Sequence, residues 1–295
     1  MSGFKQLWAL IFFVLICASL TGAQSQDDSW TRSCDPRLQK ALEKHLNALK
    51  LSGATEHKNL CIVVVDITNI SDPRMAYVNP NEMMYAASLP KIAILLGAFE
   101  KIAAGEMALD DETLEKLKQM IRRSSNKAAS EMLHRVGINY LADLLQSPRY
   151  RLYDPEQNGG IWVGKEYGKA PALRRDPLHH LSHGATALQV ARFYYLLETG
   201  QLVSPQLSRL MKTILAETEI EHKFVKGLKS VQPDSEIYRK SGTWGPYHSD
   251  SAIIEHDGRR YIAVALAKSR HGEQWLQKII VALDEVVCQT EMNQN

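Results

Sequence analysis

The sequence predicts a two-domain α/β fold in which both ends of the chain build one five-stranded antiparallel sheet. Two strand-like segments and a helix come first, and three strand-like segments and a helix come last. Between them, the pattern from Ser88 to about Leu215 is helical. The simplest assembly covers the sheet with the terminal helices and makes the helical block a second domain. We therefore expect a sheet domain of residues 24–85 and 225–295 and a helical domain of residues 86–224.

The first elements are a helix and a hairpin. Asp35-Pro36 is typical of an N-cap followed by proline at the first helical position. Leu38, Leu42, Leu46 and Leu49 then follow at helical spacing, and Gly53 is predicted to end the helix. The apolar run Leu60–Thr68 predicts a buried strand, and Met75–Val78 predicts its hairpin partner.

The last elements are three strands and a helix. The strands are predicted at Tyr238–Thr243, Ser251–Glu255 and Tyr261–Ala267. Asp257-Gly258 favours a tight hairpin turn between the last two. The final helix is predicted from about Glu273 to Cys288, with apolar residues along one face.

The N-terminus has the pattern of a secretory signal. Lys5 supplies a positive charge, Leu7–Leu20 is almost continuously apolar, and small residues ending at Ala23 offer a cleavage site. The apolar run is shorter than the ~20 residues that span a bilayer, so we expect cleavage after Ala23 rather than an anchor. These features predict a periplasmic or secreted protein with no membrane attachment. The net charge of +2 gives no reason to expect a nucleic-acid partner.

Removing residues 1–23 leaves three cysteines, an odd number that requires at least one free or shared thiol. Cys61 lies in an apolar run and is expected to be a buried core residue. Cys34 precedes the first helix and Cys288 closes the last one. If these helices pack antiparallel, we expect the two thiols to form a disulfide, although sequence alone does not fix its geometry.

Three short motifs occur in a fixed order: Ser88-Leu89-Pro90-Lys91, Ser124-Ser125-Asn126 and Lys240-Ser241-Gly242. Each one alone is more often ordinary capping or a basic strand. Together they supply a nucleophile, two proton carriers and an oxyanion hole, which are the groups needed for acyl transfer.

Each motif predicts a local setting for its chemistry. Pro90 favours a helix starting at about Ser88, which would place the serine in the positive end of the helix dipole. Lys91 would lie one turn further on the same face, and burial beside Lys240 would favour its neutral form. Gly242 would let a substrate approach an edge strand, where the Thr243 N–H could complete an oxyanion hole with that of Ser88.

With these motifs, residues 35–290 resemble the serine β-lactamase and penicillin-binding protein superfamily, and most closely class A β-lactamases. The resemblance implies the β-lactamase/transpeptidase-like fold and a role for each matching residue. Ser88 would be the acylated nucleophile, Lys91 its base or proton relay, and Ser124 the proton donor to the leaving nitrogen. The remaining roles are substrate binding by Asn126, Ser241, Gly242 and Thr243, and electrostatic support by Lys240.

The chain departs from this family in a long segment, Leu152–Gly184, called the Ω segment below. Where the family has a deacylating glutamate, the matching stretch Tyr153–Asn158 has Asp154. An aspartate is one methylene shorter, and a misplacement near 1 Å costs about 10²-fold in rate. We therefore expect slow deacylation unless the segment moves inward, with Glu156 as a fallback on a non-catalytic position. Ser251 also replaces an arginine that many relatives use for the substrate carboxylate.

Three functions follow from the resemblance. The leading one is a class A type β-lactamase that opens a β-lactam through an acyl-enzyme on Ser88. The first alternative is a D-alanyl-D-alanine carboxypeptidase or related peptidoglycan-directed acyl hydrolase. The second is a penicillin-binding sensor that deacylates slowly. All three take a β-lactam or a D-Ala-D-Ala-like peptide, need no cofactor, and are compatible with a monomer.

A histidine-rich tract, His179, His180 and His183, lies within the Ω segment. A zinc site needs three or four oriented ligands, and a catalytic one keeps an open position. The tract supplies no such set by its spacing, so we expect hydrogen-bonded loop histidines and no metal.

Overall fold

The computed structural model describes residues 34–169 and 171–292, with side chains described as far as Cys288. The predicted signal segment and its cleavage after Ala23 lie outside the described residues. Within the described part of the chain, none of the helices has the length and apolar character needed to cross a membrane.

The helices and the strands are each numbered in chain order. The helices are α1 (Pro36–Ala48), α2 (Ser52–Glu56), α3 (Lys91–Ala103), α4 (Asp111–Arg122), α5 (Asn126–Val136), α6 (Ile138–Gln146), α7 (Ala187–Glu198), α8 (Pro205–Leu215), α9 (Phe224–Lys229) and α10 (Gly272–Met292). The strands are β1 (Leu60–Asp66), β2 (Arg74–Val78), β3 (Met84–Tyr85), β4 (Tyr153–Asp154), β5 (Gly159–Gly160), β6 (Trp162–Val163), β7 (His183–Ala185), β8 (Glu236–Trp244), β9 (Tyr247–His256) and β10 (Arg259–Lys268).

The main sheet confirms the predicted fold class. Its five strands run antiparallel in the order β2-β1-β10-β9-β8, so both ends of the chain contribute and β8 lies at an edge. The turn between β9 and β10 is made by Asp257 and Gly258, both with positive φ (48° and 73°). This is the backbone conformation that the Asp-Gly pair predicts for a two-residue hairpin.

Both faces of the sheet are covered by helices. Along β1, Cys61, Val63 and Val65 pack towards the helical block, while Ile62 and Val64 pack towards α1 and α10. The sequence of β1 is therefore almost continuously apolar, because both faces of the strand are buried. Burial of Cys61 is confirmed.

Two local expectations at the terminal helices are wrong. The first helix ends at Ala48, and Gly53 lies inside α2, because Lys50 takes the left-handed conformation (φ 60°) that reverses the chain. Cys34 and Cys288 are both free thiols. The Cys34 thiol donates to Gln39 Oε1 at 3.2 Å, whereas the Cys288 thiol lies beside Asp284, so no disulfide joins the two helices.

The Ω segment is folded into small strands instead of forming an open loop. β4 pairs with β5, and β6 pairs with β7, which in turn pairs with β3. The buried Asp176 carboxylate accepts hydrogen bonds from Tyr153 Oη at 3.1 Å and from the His179 N–H at 2.9 Å. Because β3 runs directly into the turn that contains Ser88, the Ω segment is connected to the backbone at Ser88.

Candidate active site

Ser88 lies in a turn that connects β3 to α3. The helix begins at Lys91, three residues later than predicted, and the Lys91 N–H bonds to Ser88 O at 3.3 Å. Ala87 precedes the serine with φ 52°, a left-handed conformation that is uncommon for alanine. Such strained backbone often marks functional sites, because the surrounding structure must hold it in place.

Gly242 of β8 packs directly against this turn. A Cβ at Gly242 would lie 2.2 Å from Ala86 O and 2.7 Å from the Ser88 N atom, so no larger residue fits without moving backbone. The glycine therefore lets the edge strand lie against the backbone amide of Ser88. Thr243, the next residue, is exposed and lines the same cavity as Ser88.

Lys91 is completely buried and bonded to the second motif. Its Nζ donates to Ser124 O at 2.6 Å and to Asn126 Oδ1 at 2.9 Å, and lies 3.4 Å from Ser124 Oγ. Burial lowers the Lys91 pKa from 10.5 to about 7. That shift corresponds to about 5 kcal/mol in favour of the neutral amine. The ring of Tyr167 lies 4.5 Å from Lys91 Nζ. A cation–π contact of this kind stabilises an ammonium by only ~0.5–2 kcal/mol, so burial dominates the charge state of Lys91.

Ser124 connects the two lysines. It has φ 56°, and its hydroxyl accepts a hydrogen bond from Lys240 Nζ at 2.9 Å. Lys240 also donates to Ser241 O at 2.8 Å. Burial, followed by the charges of Lys91 and Arg239, holds the pKa of Lys240 well below its usual range. The three motifs therefore meet in one hydrogen-bonded network, although they are far apart in sequence.

The sequence analysis missed Lys223, which lies behind β8. Its buried Nζ donates to Gly242 O at 2.6 Å and to Thr243 Oγ1 at 2.8 Å. Burial is the main cause that lowers its pKa from 10.5 to about 8. Lys223 thus places positive charge beside the predicted substrate-binding strand. Sequence offered no signal for it, since Lys223 lies outside every motif and reaches β8 only through the fold.

Other side chains near β8 support the strand. The Ser241 hydroxyl lies 3.1 Å from His222 Nε2. The Ser251 hydroxyl donates to Lys240 O at 2.9 Å and is fully buried, so it holds the backbone of Lys240 in place. On the opposite face of the sheet, Arg239 and Asp250 form a buried ion pair at 2.8 Å.

Asp154 is held by contacts within its own segment. Its carboxylate forms an ion pair with Arg151 at 2.7 Å and accepts the Glu156 N–H at 3.0 Å, which caps the short 3-10 turn Pro155–Gln157. Glu156 is exposed. Neither carboxylate lines the cavity at Ser88. The structure therefore brings Ser88, Lys91, Ser124, Asn126 and Lys240 together and leaves Asp154 and Glu156 outside this group.

A cavity of about 830 Å³ opens at Ser88. Asn126 and Thr243 line it on either side, and Tyr85, Trp244 and Tyr247 give it an aromatic wall. The Ω segment contributes its later part, residues 165–169 and 181–183, rather than the stretch around Asp154. This later part is the portion of the Ω segment that a substrate on Ser88 would meet.

The histidines of the Ω segment make hydrogen bonds within the protein. His179 Nε2 lies 3.1 Å from Asn158 Oδ1, and His183 Nε2 lies 3.2 Å from Lys165 O. Among the described residues, one possible metal-ligand group is His256, Asp284 and Cys288, away from the cavity. Its His256 Nε2 and Asp284 Oδ1 are hydrogen-bonded to each other at 2.6 Å.

Comparison with known proteins agrees with this geometry. The model of the Beta-lactamase enzyme family matches residues 41–117 and 112–289. No curated protein sequence gives a match. The family match and the fold define a hydrolase of β-lactamase type. This chain belongs to the beta-lactamase enzyme family, and the resemblance to that family is confirmed.

Solved structures share the fold at low sequence identity. The structure of PBP-A has a TM-score of 0.65 and 15% identity, covering 87% of this chain and 97% of its own. A β-lactamase from Sphaerobacter thermophilus has a TM-score of 0.65 and 16% identity, covering 83% and 96%. A representative of class A β-lactamase from Bacteroides cellulosilyticus has a TM-score of 0.63 and 16% identity, covering 88% and 99%.

Proposed function

We propose that this protein is an exported serine hydrolase that reacts with β-lactams by forming an acyl-enzyme on Ser88. The observation that supports this most directly is the network in which Lys91 and Lys240 meet at Ser124 beside the nucleophile's turn. Export to the periplasm or outside the cell is proposed from the signal-like N-terminus.

In the acylation step, the neutral amine of Lys91 takes the proton of the Ser88 hydroxyl as the oxygen attacks the β-lactam carbonyl. The N–H groups of Ser88 and Thr243 stabilise the oxyanion, since Gly242 lets β8 lie against the turn. When the C–N bond breaks, the Ser124 hydroxyl protonates the leaving nitrogen and is reprotonated through the lysines. The product is an ester of Ser88 and an opened ring.

The second step, hydrolysis of that ester, is proposed to be slow. Water attack needs a base close to the ester carbonyl, and Asp154 is the family-matched candidate. Its carboxylate is engaged by Arg151 and by the Glu156 N–H, and it does not line the cavity. These contacts favour a long-lived acyl-enzyme, which is the behaviour of a penicillin-binding protein, over rapid antibiotic hydrolysis.

A second candidate is a carboxypeptidase that acts on D-Ala-D-Ala peptides through the same serine. The position of β8 at the edge of the sheet favours it, because an extended peptide can pair with an edge strand. Lys223 adds positive charge beside that edge, where the terminal carboxylate of such a peptide would bind.

Nitrocefin and a D-Ala-D-Ala peptide together test the proposal. The purified mature protein should open nitrocefin in a burst of about one equivalent per Ser88, followed by slow turnover. The Ser88→Ala variant should give no burst, while the Ser125→Ala variant should give the wild-type burst. Release of D-alanine would favour the carboxypeptidase, and rapid multiple turnover of nitrocefin would contradict slow deacylation.

A further inference from the structure

Tyr167 is the residue of the Ω segment that covers the catalytic lysine. Lys91 Nζ lies 4.5 Å from the centroid of its ring. The ring also packs against His183, with centroids 4.3 Å apart, and lines the cavity at Ser88. Its hydroxyl oxygen is buried and has no hydrogen-bond partner among the described residues. The ring is therefore placed on the amine by the chain around it and not by a bond from its own hydroxyl.

Two elements fix Tyr167 in this position. Its N–H donates to Ser130 Oγ at 3.1 Å, and the neighbouring Glu166 carboxylate lies 2.6 Å from His134 Nε2. Ser130 and His134 are both on α5, the helix that begins at Asn126. On the other side, His183 of β7 contacts Lys165 O at 3.2 Å. Tyr167 is thus held by α5, the same helix whose Asn126 accepts a hydrogen bond from Lys91.

We propose that Tyr167 is a positioning residue that keeps water away from Lys91 and so keeps its amine ready to accept the Ser88 proton. The proposal rests on the proposed acylation of Ser88. A neutral amine has two N–H donors, and Lys91 has two short acceptors, Ser124 O and Asn126 Oδ1. That leaves its lone pair for the incoming proton. Without the ring, water would solvate an ammonium at this site.

The charges around Lys91 set the direction of the expected change. Lys240 on β8 and His183 on β7 interact with it electrostatically, and both are basic groups. On the Ω segment, Glu166 is paired with His134 and Lys165 lies near His183, while β3 contributes the phenol of Tyr85. Because burial is the cause that lowers the Lys91 pKa, water admitted at this site would be the change that most stabilises the ammonium. Removing the ring should therefore raise the pKa of Lys91.

The test is the pH dependence of acylation by benzylpenicillin, followed by intact mass, in Tyr167→Ala and Tyr167→Phe. Burial sets the Lys91 pKa at about 7, so wild-type acylation should rise through neutral pH. In Tyr167→Ala the midpoint of the acylation rate against pH should move at least one pH unit upwards. The acylation rate at pH 6 should then be about tenfold lower than in wild type. Tyr167→Phe keeps the ring and should keep the wild-type midpoint. A folded Tyr167→Ala variant with the wild-type midpoint would overturn the proposal.

A second readout separates this proposal from the proposed function. The ¹³Cε resonance of Lys91, assigned with a Lys91→Arg variant, reports its titration without any substrate. If wild type forms no adduct with benzylpenicillin, the proposed function fails, yet the Lys91 titration still tests Tyr167. A higher Lys91 pKa in Tyr167→Ala than in Tyr167→Phe supports the positioning role, and equal values in the two variants contradict it.

Discussion

Charged groups have opposite environments in two regions, the hydrogen-bonded network of Lys91, Ser124 and Lys240 and the start of the Ω segment. Lys91 and Lys240 are buried, meet at Ser124, and have pKa values lowered mainly by burial. Asp154 is instead engaged by Arg151 and a backbone N–H, outside the cavity that holds Ser88. The first arrangement favours proton transfer at neutral pH, whereas the second holds a carboxylate as a structural cap. On our proposal, this difference makes the protein form an acyl-enzyme faster than it releases the acyl group.

The largest effect on acylation should come from Ser88→Ala, which removes the proposed nucleophile. We expect no mass adduct with benzylpenicillin under conditions where wild type is fully labelled, because no other residue replaces the attacking oxygen. The cavity itself should remain, so the variant should keep its thermal stability. Labelling of Ser88→Ala at the wild-type rate would show that another residue is the nucleophile.

The next effect separates the two neighbouring serines of the second motif. Ser124→Ala removes the hydroxyl shared by the lysines and should slow acylation about 10²–10⁴-fold, as expected for loss of a general acid. Ser125→Ala removes the N-cap of α5, where Ser125 Oγ accepts the Ala128 N–H at 3.2 Å. That change should cost about 1 kcal/mol of stability and leave acylation intact. The measurements are labelling rates and thermal melts, and equal labelling rates would remove Ser124 from the mechanism.

The buried lysines also predict a pH dependence of stability. Lys91 and Lys223 have folded pKa values of about 7 and about 8, well below the ordinary 10.5. Between each folded pKa and 10.5, the unfolded chain binds more protons than the folded one. The free energy of unfolding should therefore rise with pH over that range. Thermal melts from pH 7 to pH 9 should show the increase, and Lys91→Met should reduce it. A wild-type melting temperature that falls steadily across this range would contradict the lowered pKa values of these two lysines.

The smallest effect should come from Asp154, which the comparison places outside the chemistry. Asp154→Asn should change the acyl-enzyme lifetime less than about threefold, because the carboxylate is paired with Arg151 and does not line the cavity at Ser88. It should lower the melting temperature by weakening the Arg151 pair and the cap of Pro155–Gln157. Arg151→Ala serves as the matched control for the ion pair. A lifetime extended more than tenfold in Asp154→Asn alone would make Asp154 the deacylating base.

Much of the fold and of the candidate active site could be predicted from the sequence, because local sequence patterns indicate both. The apolar run of β1, the Asp257-Gly258 turn and the three motifs each carry their own signal. The left-handed Lys50, which ends α1 before Gly53, has no such signal. Lys223 and Tyr167 could not be found either, since their partners are distant in sequence and a single lysine or tyrosine in a loop is ordinary.

The most direct test of the account is the lifetime of the acyl-enzyme in wild type. Stoichiometric benzylpenicillin would be added, excess removed, and the mass of the protein followed with time, with the labelled peptide identified by fragmentation. The account predicts a single adduct on Ser88 that forms quickly and decays over many minutes. An adduct on another residue, no adduct at all, or an adduct that disappears within seconds would contradict it.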